Sequence, residues 1–301
     1  MTDFDPSSRS LGEEGDALYA VLPNPSKLYL ARSKRLRSLA PGHMRESYLS
    51  FAADVTEAQH EVQTGLAEPA LPPLDQMREA LANDMPPIGL TAIDLGEEAE
   101  IILSGLLERL RGGELTPEAR AAIENLASAA IEKRHQLLTG AAKGAPPDDV
   151  AERVFILASL QVYFSRLASK LASKDLKPIA DGLCPACGGP PMSSSVVGWP
   201  RAENLRYCAC SLCGTMWNVV RIKCVFCSST EGISYHYIDG KPETVKGETC
   251  AKCRKYLKIL YQVKDHELDP LSDDVASLDL DMLLAAEGWL RGGHNLFLLG
   301  Y

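Results

Sequence analysis

Eight of the nine cysteines form four Cys-x-x-Cys pairs, and the second two pairs repeat the first two at an offset of 40 residues. Cys184 and Cys187 recur as Cys224 and Cys227, and Cys210 and Cys213 recur as Cys250 and Cys253. Each unit is therefore C-x2-C-x22-C-x2-C. A Cys-x-x-Cys turn aims two thiolates at one ion, and the long spacer folds as a hairpin that brings the second pair opposite the first. The chemistry expected is a closed tetrahedral thiolate cage, the ligand set of structural zinc or of a single iron. Four redox dithiols would leave no reason for the spacing between pairs to be kept. The expected cofactors are thus two metal ions per chain, iron or zinc, each with four Cys ligands.

The elements that must position these cages change character along the chain. No cysteine precedes Cys184, and residues 1–176 carry helical periodicity. Pro23-Asn24-Pro25-Ser26 reads as a turn and cap into a helix over 27–39, closed by Pro41-Gly42. Further helices are expected over 43–66, 74–83 and 97–110, the last with the stripe Ala99, Ile102, Leu103, Leu106, Leu107 and Leu110. Thr116-Pro117-Glu118 opens another, with a capping hydroxyl, proline in the first turn and an acid beside it. Pro146-Pro147-Asp148-Asp149 starts the longest helix, running to about residue 174, apolar on nearly every side and so suited to the centre of a bundle.

After the Lys177-Pro178-Ile179 link the period becomes that of strands. Strands are expected over 194–199, 205–207 and 217–222, with counterparts over 233–238, 244–246 and 256–263. Asp239-Gly240 is a hairpin turn signal. Each ribbon is too short to build a core, so its metal must supply much of its folding energy. A helix over 271–290 with Leu271, Val275, Leu278, Met282, Ala285 and Trp289 on one face should pack back on the body. The fold class is α+β, with a helical domain over 1–176, two ribbon modules over 177–222 and 223–264, and an acidic helix and tail over 265–301.

With 301 residues, 46% hydrophobic and 24% charged, the composition is that of an ordinary soluble protein. The first fourteen residues have no basic region followed by an apolar run, and no stretch of about 18 apolar residues is present to span a membrane. The expectation is a cytoplasmic protein with no membrane insertion. The net charge of −9 is uneven: residues 181–264 hold 11 basic and 6 acidic side chains, and residues 265–301 hold 1 and 8. Four thiolates around a divalent ion leave each cage negative, which nearly cancels the basic segment. Nucleic acid is accordingly not an expected partner.

Several stretches resemble the formate dehydrogenase accessory protein family, FdhE. They are Cys184-Pro185-Ala186-Cys187-Gly188, Leu205-Arg206-Tyr207, Arg221-Ile222-Lys223-Cys224, Glu248-Thr249-Cys250 and Tyr256-Leu257-Lys258. Asp269-Pro270, Asp273-Asp274, Glu287-Gly288-Trp289 and the ending Asn295-Leu296-Phe297-Leu298-Leu299 fit the same pattern, as do Leu22-Pro23 and Leu36-Arg37-Ser38-Leu39-Ala40. The resemblance implies a helical domain followed by two rubredoxin-like modules. It also implies a non-catalytic maturation factor for respiratory formate dehydrogenase. Such a factor engages the molybdenum-containing catalytic subunit in the cytoplasm, before the twin-arginine pathway exports it. Arg206, Arg221 and Lys223 are candidate contacts to that client or, equally, structural cations that flank the knuckles and offset the thiolate charge; the acidic tail is a further candidate, where Asp273 and Asp274 could instead open the last helix.

The sequence departs from the family at Cys208, where an apolar residue is usual. A fifth thiol could be an alternative ligand or a disulfide partner, but a small buried hydrophobe is the favoured reading. Gly188 and Gly214 follow two knuckles, whereas Ser228 and Arg254 hold the matching places in the second unit, which should be the more labile or exposed site. The six histidines show no ligand spacing, and no phosphate loop, nucleophile elbow or zincin helix occurs. Trp199, Trp217, Tyr235, Tyr237 and Tyr261 are expected to cover the modules' small cores. The alternative functional class is a redox protein using rubredoxin-like iron sites.

Overall fold

The computed structural model of the protein describes residues 17–90, 94–146 and 148–299. The polar stretch over residues 1–14 and Pro147 of the predicted helix start lie outside the described residues. Among the described residues, seven helices fill the N-terminal part: α1 (Pro25–Leu39), α2 (Glu46–Thr64), α3 (Leu74–Ala82), α4 (Gly96–Leu110), α5 (Pro117–Ser128), α6 (Ile131–Ala142) and α7 (Val150–Ala168). Every side chain of α7 from Val154 onward is buried, which makes it the centre of the bundle, as its apolar run predicts. It starts where Asp149 accepts a hydrogen bond from Glu152 N at 2.9 Å, and it ends at Ala168, short of residue 174. The predicted stripe of α4 is buried in full. Thr116 caps α5 through Ala119 N. Where one helix was expected after Thr116 there are two, because Ala129 and Ala130 are extended and break the ladder.

The strands of the two ribbon modules join in one sheet. β1 (Ala20–Val21), β2 (Pro191–Val196), β3 (Arg206–Cys210), β4 (Met216–Val219), β5 (Ile233–His236), β6 (Val245–Cys250) and β7 (Lys255–Tyr261) lie in one sheet, ordered β1-β4-β3-β2-β7-β6-β5. The two metal modules meet where β2 runs parallel to β7, pairing Ser194 with Ile259 and Val196 with Tyr261. β1, which precedes the whole bundle, pairs with β4 and ties the start of the helical part to the first module. The ladder bonds across these joins satisfy backbone groups that isolated ribbons would leave to water.

One hydrophobic core is shared by the layers. Leu49, Leu106 and Phe164 of the helices belong to the same cluster as Cys184, Met192, Trp217 and Leu257 of the sheet. A smaller core of Val197, Trp199, Tyr207 and Met216 covers the outer face of the first module. Trp199 and Trp217 are therefore core residues as expected, whereas Tyr235 and Tyr237 are exposed and lie outside the hydrophobic cores.

The single C-terminal helix of the prediction is two, α8 (Ser272–Ala276) and α9 (Leu278–Ala286), followed by β8 (Leu290–Arg291). The break at Ser277 resets the helical phase. Leu271, Val275 and Leu278 are buried as expected, but α9 then buries Leu280, Asp281 and Leu284, leaving Met282 and Ala285 outside. The reset also turns acids inward, for a reason that lies in the sheet beneath them: Lys258 of β7 is fully buried and needs them.

Candidate metal centres

The first site is a pair of knuckles facing each other. Cys184 Sγ lies 3.5 Å from Cys213 Sγ, and Cys187 Sγ lies 3.5 Å from Cys210 Sγ. All four sulfurs lie within 4.8 Å of one another, and all four residues are buried. Each knuckle is a backbone turn. Gly188 N donates to Cys184 O at 2.8 Å, Gly189 N donates to Cys187 Sγ at 3.4 Å, and Leu212 N donates to Cys210 Sγ at 3.4 Å. The helical part grips both knuckles from outside: Ile88 N donates to Ala186 O at 3.1 Å, Leu90 N to Cys187 O at 3.2 Å, and Gln161 Nε2 of α7 to Ser211 O at 2.7 Å.

The second site repeats the first, with Cys224 Sγ 3.7 Å from Cys253 Sγ and Cys227 Sγ 3.6 Å from Cys250 Sγ. Its environment differs, because Cys227 and Cys253 are partly exposed. Ser228 (φ 60°) and Arg254 (φ 59°) adopt the left-handed turn that Gly188 (φ 77°) and Gly214 (φ 74°) adopt in the first unit. The missing glycines therefore do not remove the turn. Nor do they remove donors to sulfur: the amides of Phe226 and Cys227 reach Cys224, and those of Lys252 and Cys253 reach Cys250. What distinguishes this site is solvent access. It is the more exposed site, as expected, for that reason and not for want of glycine.

Both clusters fit a metal ion. Sulfurs about 2.3 Å from a central ion form a tetrahedron with edges of about 3.8 Å, close to the separations found here. Burial pushes the Cys184 and Cys187 thiols well up, so several thiolates could share that space only around a cation. A bound ion would supply the crosslink between the knuckles of each unit. Four protein sulfurs leave it no open position for a substrate.

The family model described as "FdhE, N-terminal" matches residues 18–181, "FdhE, central domain" matches 183–221, and "FdhE, C-terminal domain" matches 222–298. The "Protein FdhE homolog" of Rhizobium meliloti is 37% identical over all of this chain and 99% of its own. The "Protein FdhE homolog" of Edwardsiella ictaluri is 34% identical, covering 98% of this chain and 96% of its own. The chain belongs to the FdhE family. A crystal structure of the FdhE protein from Pseudomonas aeruginosa has the same fold, with a TM-score of 0.82 at 33% identity over 94% of this chain and 99% of that one. The resemblance read from the knuckles and the C-terminal motifs thus extends over the whole molecule, and the chain is a formate dehydrogenase accessory protein.

Within this FdhE chain the motif residues outside the cages are mostly architectural. Arg206, a candidate client contact by sequence, is fully buried. Its Nη1 and Nη2 donate to the two carboxylate oxygens of Glu248 at 2.9 Å each, and its Nε donates to Ser194 Oγ at 3.0 Å. Nη1 also reaches Arg221 O at 3.3 Å and Lys223 O at 3.5 Å, so one guanidinium ties β3, β2, β6 and the entry to the second cysteine unit together. The sequence leaves a structural role open for Arg206 but does not supply its partner, since Glu248 lies 42 residues away on another strand. The available signal was position: Arg206 sits in a strand two residues before Cys208, on the face that the cages bury. Arg221 is exposed and Lys223 pairs with Asp181 at 3.4 Å, so neither shares that burial.

The acidic tail of the FdhE chain is likewise turned inward. Lys258 Nζ lies 3.3 Å from Asp274 and pairs with Asp281, while Arg291 bonds Asp274 at 2.6 Å and also pairs with Asp281. Tyr256 OH donates to Asp281 at 2.7 Å and Asn295 Nδ2 to Asp274 at 2.8 Å. Arg35 of α1 grips Asp273 with two bonds of 3.0 and 2.7 Å, docking the tail on the helical part. Asp273 and Asp274 do open a helix, α8, but as buried partners of cations and not as a client surface. Cys208 lies in the shared core, and burial pushes its thiol up to about 12, so it packs as a neutral hydrophobe. Among the described residues no helix is long and apolar enough to cross a membrane.

Proposed function

We propose that this chain is a non-catalytic assembly factor that binds the catalytic subunit of a molybdenum-containing formate dehydrogenase in the cytoplasm, before that subunit is exported. The two groups Cys184/Cys187/Cys210/Cys213 and Cys224/Cys227/Cys250/Cys253 each hold one iron or zinc ion. In this reading residues 1–176 act as the helical domain, 177–222 and 223–264 as the metal modules, and 265–301 as a buttress. The observation that carries the reading is the family match along the whole chain, combined with cages that bring four protein donors each. Four-thiolate sites with no vacant position serve structure and recognition better than bond-making chemistry. The ions hold the sheet in shape, and the sheet supplies a rigid surface for the client. The test is co-purification of the client catalytic subunit with the full chain, paired with formate dehydrogenase activity in a deletion strain. Loss of activity with normal synthesis of the subunit, and a stable complex in the pull-down, are the expected results. Full formate dehydrogenase activity in the deletion strain would refute the role.

A further inference from the structure

The internal repeat leaves one strand position filled in the first module and open in the second. β5 plays in the second unit the part that β2 plays in the first, since each pairs antiparallel with the strand that leads to the third ligand. On β2, Ser194 stands opposite Cys208 on one side and Ile259 of β7 on the other. On β5, Tyr235 stands opposite Glu248, the repeat counterpart of Cys208, and among the described residues no strand lies on its other side. The direction of the backbone groups agrees. Ala251 N donates to Gly232 O at 2.9 Å, which by the alternation of an antiparallel ladder gives the bonds to β6 to Ser234 and His236. The amides and carbonyls of Ile233, Tyr235 and Tyr237 then face outward, as those of Val196 do where its carbonyl accepts from Val263 N at 3.2 Å.

Among the described residues the usual protection of this edge is its shortness alone, since β5 spans four residues. Natural sheet edges are blunted by lysine, proline, bulges or a covering element. Ile233-Ser234-Tyr235-His236-Tyr237-Ile238 has neither lysine nor proline, and Tyr235 and Tyr237 are exposed. Val220 and Ile222, exposed large apolar residues, flank Arg221, whose carbonyl shares Arg206 with Glu248 beneath Tyr235. The setting stays weakly cationic once the cage is counted: residues 221–264 hold nine basic and four acidic side chains, of which Lys258 is buried among acids, against about −2 for four thiolates around a divalent ion, and Lys246 Nζ lies 4.7 Å from the centre of the Tyr237 ring.

We infer that the outer edge of β5 is a docking site for an extended, acidic segment of the client polypeptide, which adds a strand parallel to β5 as β7 adds to β2. This rests on the client-binding reading above and locates it. Main-chain bonds to Tyr235 and Tyr237 would supply register, the tyrosine rings would receive alternate side chains, and the cations would favour acids.

The experiment uses the full chain, alone and in complex with the client catalytic subunit, and reads amide hydrogen exchange by mass spectrometry. In the complex the peptide spanning 233–238 should exchange at least ten-fold more slowly than in the free chain. Tyr235→Pro removes a donor that β6 does not use, whereas Tyr235→Ala removes only the ring. The proline variant should weaken the complex at least ten-fold beyond the alanine variant, with both metals retained and the far-ultraviolet spectrum unchanged. A complex that forms without added protection at 233–238, or equal effects of the two variants, overturns the edge assignment and leaves client binding standing. Concentration-dependent dimerisation of the free chain with the same protection would assign the edge to a second copy and overturn the inference. Absence of any complex sinks the client-binding reading and this inference with it.

Discussion

Replacing Glu248 by alanine strips the fully buried Arg206 of two charge-assisted bonds of 2.9 Å each. Truncating one member of a buried ion pair costs about 3–5 kcal/mol, mostly because the other charge stays desolvated. Arg206 keeps Ser194 Oγ at 3.0 Å and two longer carbonyl contacts, so Glu248→Ala belongs at the low end of that range, about 3 kcal/mol. Arg206→Met is the harsher change, since Glu248 is left with little beyond the Tyr235 hydroxyl; about 4–5 kcal/mol is expected. The double variant Arg206→Met/Glu248→Leu removes both charges together and should recover more than half of the larger loss. Urea unfolding of metal-loaded protein, followed by far-ultraviolet circular dichroism, gives all three values. A loss under about 1 kcal/mol in either single variant would mean that water reaches the pair. A double variant as poor as the summed singles would mean that the two residues do not act together.

Other expectations follow from the same contacts. Cys184→Ser or Cys213→Ser should cost one metal and also loosen the helical part, because the two knuckles of that site share the main core and bond to Ile88, Leu90 and Gln161; loss of helical ellipticity accompanying metal loss checks this, and unchanged helicity would show the layers to be independent. Chelators should empty the second site first, since Cys227 and Cys253 are partly exposed while the first four are buried; release rates in single-site variants decide, and equal rates would refute the argument from access. Cys208 should resist iodoacetamide in the native protein at pH 8, because a thiol pushed up to about 12 by burial leaves roughly one thiolate in ten thousand. Its folded value lies above the unfolded one of about 8.5, so its contribution is full below pH 8.5 and is lost as pH rises toward 12; a Cys208→Ala variant should show a flatter decline in stability over that window.

The sequence by itself determined the cages. The 40-residue offset assigns eight cysteines to two groups of four, and the structure brings together those same groups, because a Cys-x-x-Cys turn and its hairpin are local geometry. Helical periodicity likewise located α4 and α7, whose burial follows from their own apolar stripes. Tertiary structure decided everything that depends on a partner distant in the chain. The parallel join of β2 to β7 turns two ribbons into one sheet, and no periodicity encodes which strands become neighbours. The roles of Arg206, Asp274 and Asp281 are decided only when Glu248, Lys258 and Arg291 are placed against them. A charged side chain is buried only where its counter-charge is buried too, and that second condition is set by the fold and not by the residue.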